Sequence, residues 1–92
     1  MALNFRVSAK ETGKQSKVLR LFGDFDASSA CELIDTLDQS VKTSSKVAID
    51  TDGLKTINSF GLNLFLSRMS KLKNTRITIK VTGRFSEKFK EE

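Results

Sequence analysis

The chain of 92 residues contains no histidine, proline, tyrosine or tryptophan, and its one cysteine is Cys31. Without histidine there is no His-based catalytic triad, no histidine metal site and no imidazole pH switch. One cysteine rules out an intrachain disulfide and a cysteine-rich zinc cluster. No segment approaches the roughly 18 apolar residues that span a bilayer, so no membrane insertion is expected. The first twenty residues carry Arg6, Lys10, Glu11, Lys14 and Lys17 with no apolar run. That is unlike a signal peptide, and a reducing, cytoplasmic setting is expected.

What is present fits one small globule, residues 1–92. Hydrophobic residues make up 38% and charged residues 29%, ordinary values for a folded domain. Sixteen Lys and Arg against eleven Asp and Glu leave a net charge of +5. Such a balance suits nucleic acid or an acidic partner. The basic residues nevertheless run from Arg6 to Lys90 without a block of five or six, the pattern of a solvated basic surface.

Periodicity divides the chain. Phe5, Val7 and Ala9 alternate with Asn4, Arg6 and Ser8, predicting a strand over 4–10. Glu11 to Ser16, with Gly13, reads as a hairpin loop, and Val18 to Phe22 as a second, more buried strand. Gly23-Asp24-Phe25-Asp26 reads as a strand break before a helix capped by Asp26 or Ser28. Ala27, Ala30, Cys31, Ile34, Leu37 and Val41 form its apolar stripe, which makes Cys31 a small buried hydrophobe. Val47 to Asp50 suits an interior strand, and Thr51 to Ile57 a loop. A second helix spans about Ser59 to Lys73, with a stripe of Leu62, Phe65, Leu66, Met69 and Leu72, ending at Asn74. Arg76 to Val81 alternates as a fourth strand, and Ser86 to Glu92 suggests a short helix with Phe85 and Phe89 inward. Strands separated by helices pair in parallel through right-handed crossovers, and the first hairpin adds an antiparallel neighbour. The expected class is α/β, with a mixed four-stranded sheet, two main helices and a short C-terminal helix.

Few segments offer chemistry. The five glycines form neither GxGxxG nor GxxxxGK[ST], so the known phosphate-cradling fingerprints are missing. Asp24 and Asp26 lie at a strand end, where they serve a metal site or, more simply, a loop and a cap. Helices separated by a strand cannot form a helix-turn-helix, and no strand interleaves aromatic with basic residues. Direct nucleic-acid binding is therefore not expected, and no nucleophile–base pair or metal set marks an enzyme. No cofactor is implied.

Thr56-Ile57-Asn58-Ser59-Phe60-Gly61-Leu62 is the informative stretch. Asn58 or Ser59 starts a helix directly after an interior strand, beside free amides and the positive end of the helix dipole. A serine here is either an N-cap or a phosphorylation site, since a phosphate gains from the same amides and dipole. Phe60 and Leu64 lie about 180° from the apolar stripe at 100° per residue, with Arg68 and Lys71 continuing that face. Either a partner binds them or the C-terminal segment covers them.

Taken in order, Gly23-Asp24-Phe25-Asp26, Val47-Ala48-Ile49-Asp50, Leu54 through Leu62 and the helix to Asn74 resemble a STAS domain of the bacterial anti-sigma-factor antagonist type. The resemblance runs from about Phe5 to Phe89. It implies a switch: the unphosphorylated antagonist binds an anti-sigma factor that is also a serine kinase, phosphorylation releases it, and a PP2C-type phosphatase resets it. By position, Ser59 matches the phospho-acceptor, Gly61 and Leu62 the motif's closing pair, and Asp24 and Asp26 the acidic loop of the partner surface. Phe25, Asn58, Phe60 and Leu64 complete the expected partner-binding set. The family's usual aspartate before the acceptor is Asn58 here, and the small residue after it is Phe60. The alternative is a constitutive STAS subunit of a lipid-transport complex or signalling scaffold.

Overall fold

The computed structural model describes residues 4–72 and 77–89. Strand β1 (Arg6–Gly13) turns into β2 (Ser16–Phe25), followed by helix α1 (Ala27–Ser40), strand β3 (Lys46–Ile57), helix α2 (Ser59–Leu72) and strand β4 (Thr78–Thr82). A single 3-10 turn over Ser86–Phe89 stands where the short helix was expected. The sheet order is β1-β2-β3-β4. The first pair is antiparallel, with Val7 opposite Leu21, and the other two pairs are parallel, with Leu19 beside Ile49 and Ile49 beside Val81. Two right-handed crossovers stepping the same way across a sheet put both helices on one face. The class is α/β with a mixed sheet, as the sequence suggests.

The core lies between that face and the helices. Leu19, Leu21, Val47, Ile49 and Leu54 from the sheet meet Ala30, Leu33, Leu37 and Phe65 from the helices. Phe25 is fully buried and packs edge-on against Phe5, Phe65 and Phe89, with ring centroids 5.9, 6.2 and 5.3 Å away. Phe89 reaches this cluster because the C-terminal segment is pinned to β3. The Arg84 amide donates to Asp52 Oδ1 (2.7 Å), its guanidinium to the Leu54 carbonyl (3.0 Å), and the Phe85 amide to Thr51 Oγ1 (3.1 Å). Phe85 itself is half-buried against the core.

Several expectations are corrected. Gly23-Asp24-Phe25 does not break the strand: β2 runs on to Phe25 and stays paired with β3, which extends through the expected loop to Ile57. Two register shifts absorb the misfit, and Gly23 adopts φ +91°, a left-handed geometry that costs glycine little. The hairpin loop is correspondingly shorter, since β1 continues to Gly13 and β2 begins at Ser16. In α1 the buried arc is Ser29, Ala30, Leu33, Leu37 and Ser40, rotated by about 80° from the expected stripe at 100° per residue. Cys31 is exposed. Serine hydroxyls satisfied locally let the bulkier Leu33 take the inward position, as Ser40 Oγ donates to the Thr36 carbonyl at 2.8 Å. Arg68 does not continue the free face of α2, because its guanidinium reaches Asp38 of α1 at 3.0 Å. The expectations at Lys73, Asn74, Arg76 and residues 90–92 lie outside the described residues.

Candidate functional site

The ends of β2 and β3 deliver two helix starts to the same place. At α1, Asp26 is the cap: its Oδ1 accepts from the Ser29 amide at 2.9 Å. That amide bond is the main reason the Asp26 carboxyl titrates below its ordinary value, since hydrogen bonding to the ionised form favours it. The buried Ser29 hydroxyl donates to the Asp24 carbonyl at 2.7 Å and lies 3.1 Å from Asp26 Oδ1. Asp24 Oδ1 accepts in turn from Thr56 Oγ1 at 2.7 Å, joining the end of β2 to the end of β3.

At α2 the cap is Asn58. Its Oδ1 accepts from the amides of Phe60 (2.9 Å) and Gly61 (3.3 Å), and its carbonyl accepts the first helical bond, from the Leu62 amide, at 3.0 Å. Its own amide donates to the Phe25 carbonyl at 2.7 Å, fixing where the helix starts against β2. Ser59 is thereby the first helical residue, exposed to solvent. Its hydroxyl makes no hydrogen bond among the described residues.

Gly61 brings the two starts together. A Cβ at this position would lie 2.4 Å from the Asp26 carbonyl carbon and 2.9 Å from the Ala27 nitrogen. The resulting recess is lined by Asp26, Ala27, Ser28, Asn58 and Phe60. Phe60 is 70% exposed and Leu64, one turn on, 39%, so no described segment covers the ring of Phe60.

The geometry thus gathers Asp24, Asp26, Asn58, Ser59, Phe60 and Gly61 at one edge, with Leu64 one turn along. Phe25 is the exception: its side chain is in the core, and its carbonyl alone takes part, by holding Asn58. Leu62 is half-buried and packs on the core. Asp24 and Asp26 are tied to Thr56 and Ser29, and no group of three or more metal-ligating side chains occurs among the described residues. Sequence reasoning missed Ser29 and Thr56. Ser29 sits three residues after a capping aspartate, a readable spacing, whereas Thr56 meets Asp24 across 32 residues with no local signal.

The family model of the STAS domain matches residues 6–87. The chain belongs to the STAS domain family. Solved structures of similar fold include the anti-sigma factor antagonist SpoIIAA in its unphosphorylated form, at 18% identity and TM-score 0.65, covering 83% of this chain and 71% of that one. The phosphorylated form, from Bacillus, matches at 18% identity and TM-score 0.64, with coverage of 82% and 69%. An anti-sigma factor antagonist from Mycobacterium paratuberculosis matches at 20% identity and TM-score 0.70, with coverage of 88% and 68%. A STAS domain of an antisigma-factor antagonist from Rhodobacter sphaeroides matches at 15% and 0.65, with coverage of 95% and 92%. At these identities the likeness is one of fold. No curated protein matches this STAS domain.

Proposed function

We propose that this STAS domain is a phosphorylation-regulated anti-sigma-factor antagonist. It binds an anti-sigma serine kinase through Phe60, Leu64 and the Asp24–Asp26 loop, and releases it when Ser59 is phosphorylated. A PP2C-type phosphatase restores the binding form. The observation that carries this reading is the division of labour at the start of α2. Asn58 does the capping, which leaves the Ser59 hydroxyl exposed and unbonded beside an exposed phenylalanine.

The physics favours release. Phosphorylation adds about −1.5 to −2 of charge one residue from an apolar ring that a partner must cover. Desolvating that dianion in a contact is costly, and the nearby Asp24 and Asp26 carboxylates add repulsion. The fold tolerates the modification, because the phosphate stands at the positive end of the α2 dipole. A local charge then controls binding without unfolding the domain.

A second reading, a constitutive subunit of a lipid-transport complex or scaffold, draws on the exposed Phe60, which would serve as an apolar anchor. Wild type, Ser59→Ala and Ser59→Asp used as parallel baits in source-organism lysate separate the two. A serine kinase of the anti-sigma type, held by wild type and Ser59→Ala but lost with Ser59→Asp, supports the switch. Equal capture of transporter or scaffold subunits by all three makes the chain a constitutive subunit.

A further inference from the structure

The sheet has one covered face and one open face. Two rows run across the open face: Lys10–Val18–Ala48–Lys80, and beneath it Ser16–Lys46–Thr78. Lys10, Lys46 and Lys80 are all exposed, and neither row holds an acid. Between them lies a shallow depression of about 230 Å³ whose lining includes Thr12, Ser16, Val18, Ala48 and Thr78. The next row carries Arg20 and Asp50, 3.9 Å apart. On the opposite layer α1 contains Glu32, Asp35 and Asp38 and no Lys or Arg, while α2 beside it carries Lys71 and Arg68, the latter paired with Asp38.

We infer that this open face is a docking surface for the anionic headgroups of a phospholipid membrane, on which the domain lies without inserting. The chemistry of the rows selects this occupant. Their cations are all lysines, compact charges on flexible stems that suit a plane of phosphates. Protein interfaces are instead depleted in lysine and anchored by aromatics and arginine, and single-stranded nucleic acid is held by aromatic stacking. Neither row offers an aromatic ring or an arginine. The acids of α1, partly offset by Arg68 and Lys71 of α2, make the helix layer the less favourable one to face a negative plane. The α1–α2 starts stand at the edge of the sheet, clear of the two lysine rows. This inference does not depend on phosphorylation of Ser59.

The experiment is co-sedimentation of the whole chain with vesicles of phosphatidylglycerol mixed into phosphatidylcholine, against pure phosphatidylcholine, at low and high salt. The comparison pairs K10E/K46E/K80E with K42E/K71E/K88E, which makes the same charge change at exposed positions off this face. Far-UV circular dichroism and thermal melts verify that both variants fold. We expect binding to the anionic vesicles only, weakened by salt, kept within about threefold by the control variant and reduced at least a hundredfold in the sheet variant, at about fivefold per lysine. Equal loss in both variants would reduce the effect to net charge and overturn the inference. So would no binding to anionic vesicles, or sheet-dependent binding to single-stranded DNA without binding to vesicles.

Discussion

Which side chain caps α2 decides whether Ser59 is structural or available, and two alanine substitutions answer it. Asn58→Ala removes the acceptor of two first-turn amides, at 2.9 and 3.3 Å. The second distance lies beyond the usual N–H···O range, so the loss amounts to one good capping bond, about 1 kcal/mol. In a domain this small that lowers the melting temperature by about 4–8 °C. The Asn58 backbone bond to Phe25 is untouched by the change, which keeps the helix start in place. Ser59→Ala removes a hydroxyl with no bonded partner and gains up to about 0.5 kcal/mol of helix propensity, so its melting temperature should stay level or rise slightly. Asn58→Asp keeps the acceptor and adds a charge favoured at a helix start by about 0.3–1 kcal/mol. Thermal melts of the four proteins by circular dichroism suffice. A Ser59→Ala loss equal to or greater than that of Asn58→Ala would make Ser59 the cap and refute the reasoning.

Three further outcomes follow from the same geometry. Gly61→Ala gains about 1 kcal/mol of helix propensity but drives a methyl into the Asp26 backbone, overpacking that costs about 1–3 kcal/mol; denaturant melts should show net destabilisation, and a stabilised variant would contradict the close approach. The Asp26 carboxyl titrates below its ordinary 3.8 because the folded state bonds its ionised form, so its contribution is present above that value and is lost as pH falls through the folded one. Stability measured from pH 5 downward should therefore decline less steeply in Asp26→Asn, and identical slopes would remove Asp26 from the acid response. Cys31 is exposed on α1, so a thiol reagent should label the folded protein fully under native conditions; labelling only after denaturation would restore it to the core.

Much of the fold was legible because it rests on local pattern. Period-two alternation marks β1 and β4, the 3.6-residue stripe marks α2, and Asp26 announces α1 by its capping chemistry. The readings fail where a distant partner overrides a local preference. Gly23 and Gly53, with the aspartates around them, read as breakers, yet parallel pairing carries β2 and β3 through both by way of register shifts. The phase of α1 was misread because Ser29 and Ser40 are polar in sequence but hydrogen-bonded in place, which turns Leu33 inward and Cys31 out. Phe25 looked like part of an acidic surface loop, while its ring is central to the aromatic cluster. At the candidate site the helix-start segment is readable, but the choice of Asn58 over Ser59 as cap is set by the distant bond of the Asn58 amide to the Phe25 carbonyl. The Asp38–Arg68 pair and the Asp24–Thr56 bond span 30 and 32 residues, and no periodicity reports such contacts.

The central claim is that a phosphate on Ser59 sets affinity while leaving the fold intact. The direct measurement is a calorimetric titration of the captured anti-sigma kinase with the unmodified chain and with chain carrying phosphoserine at position 59, alongside melts of both. A dissociation constant weakened at least tenfold, a change of about 1.4 kcal/mol, with unchanged melting temperature is the predicted result. Equal affinity for the two forms would contradict the account.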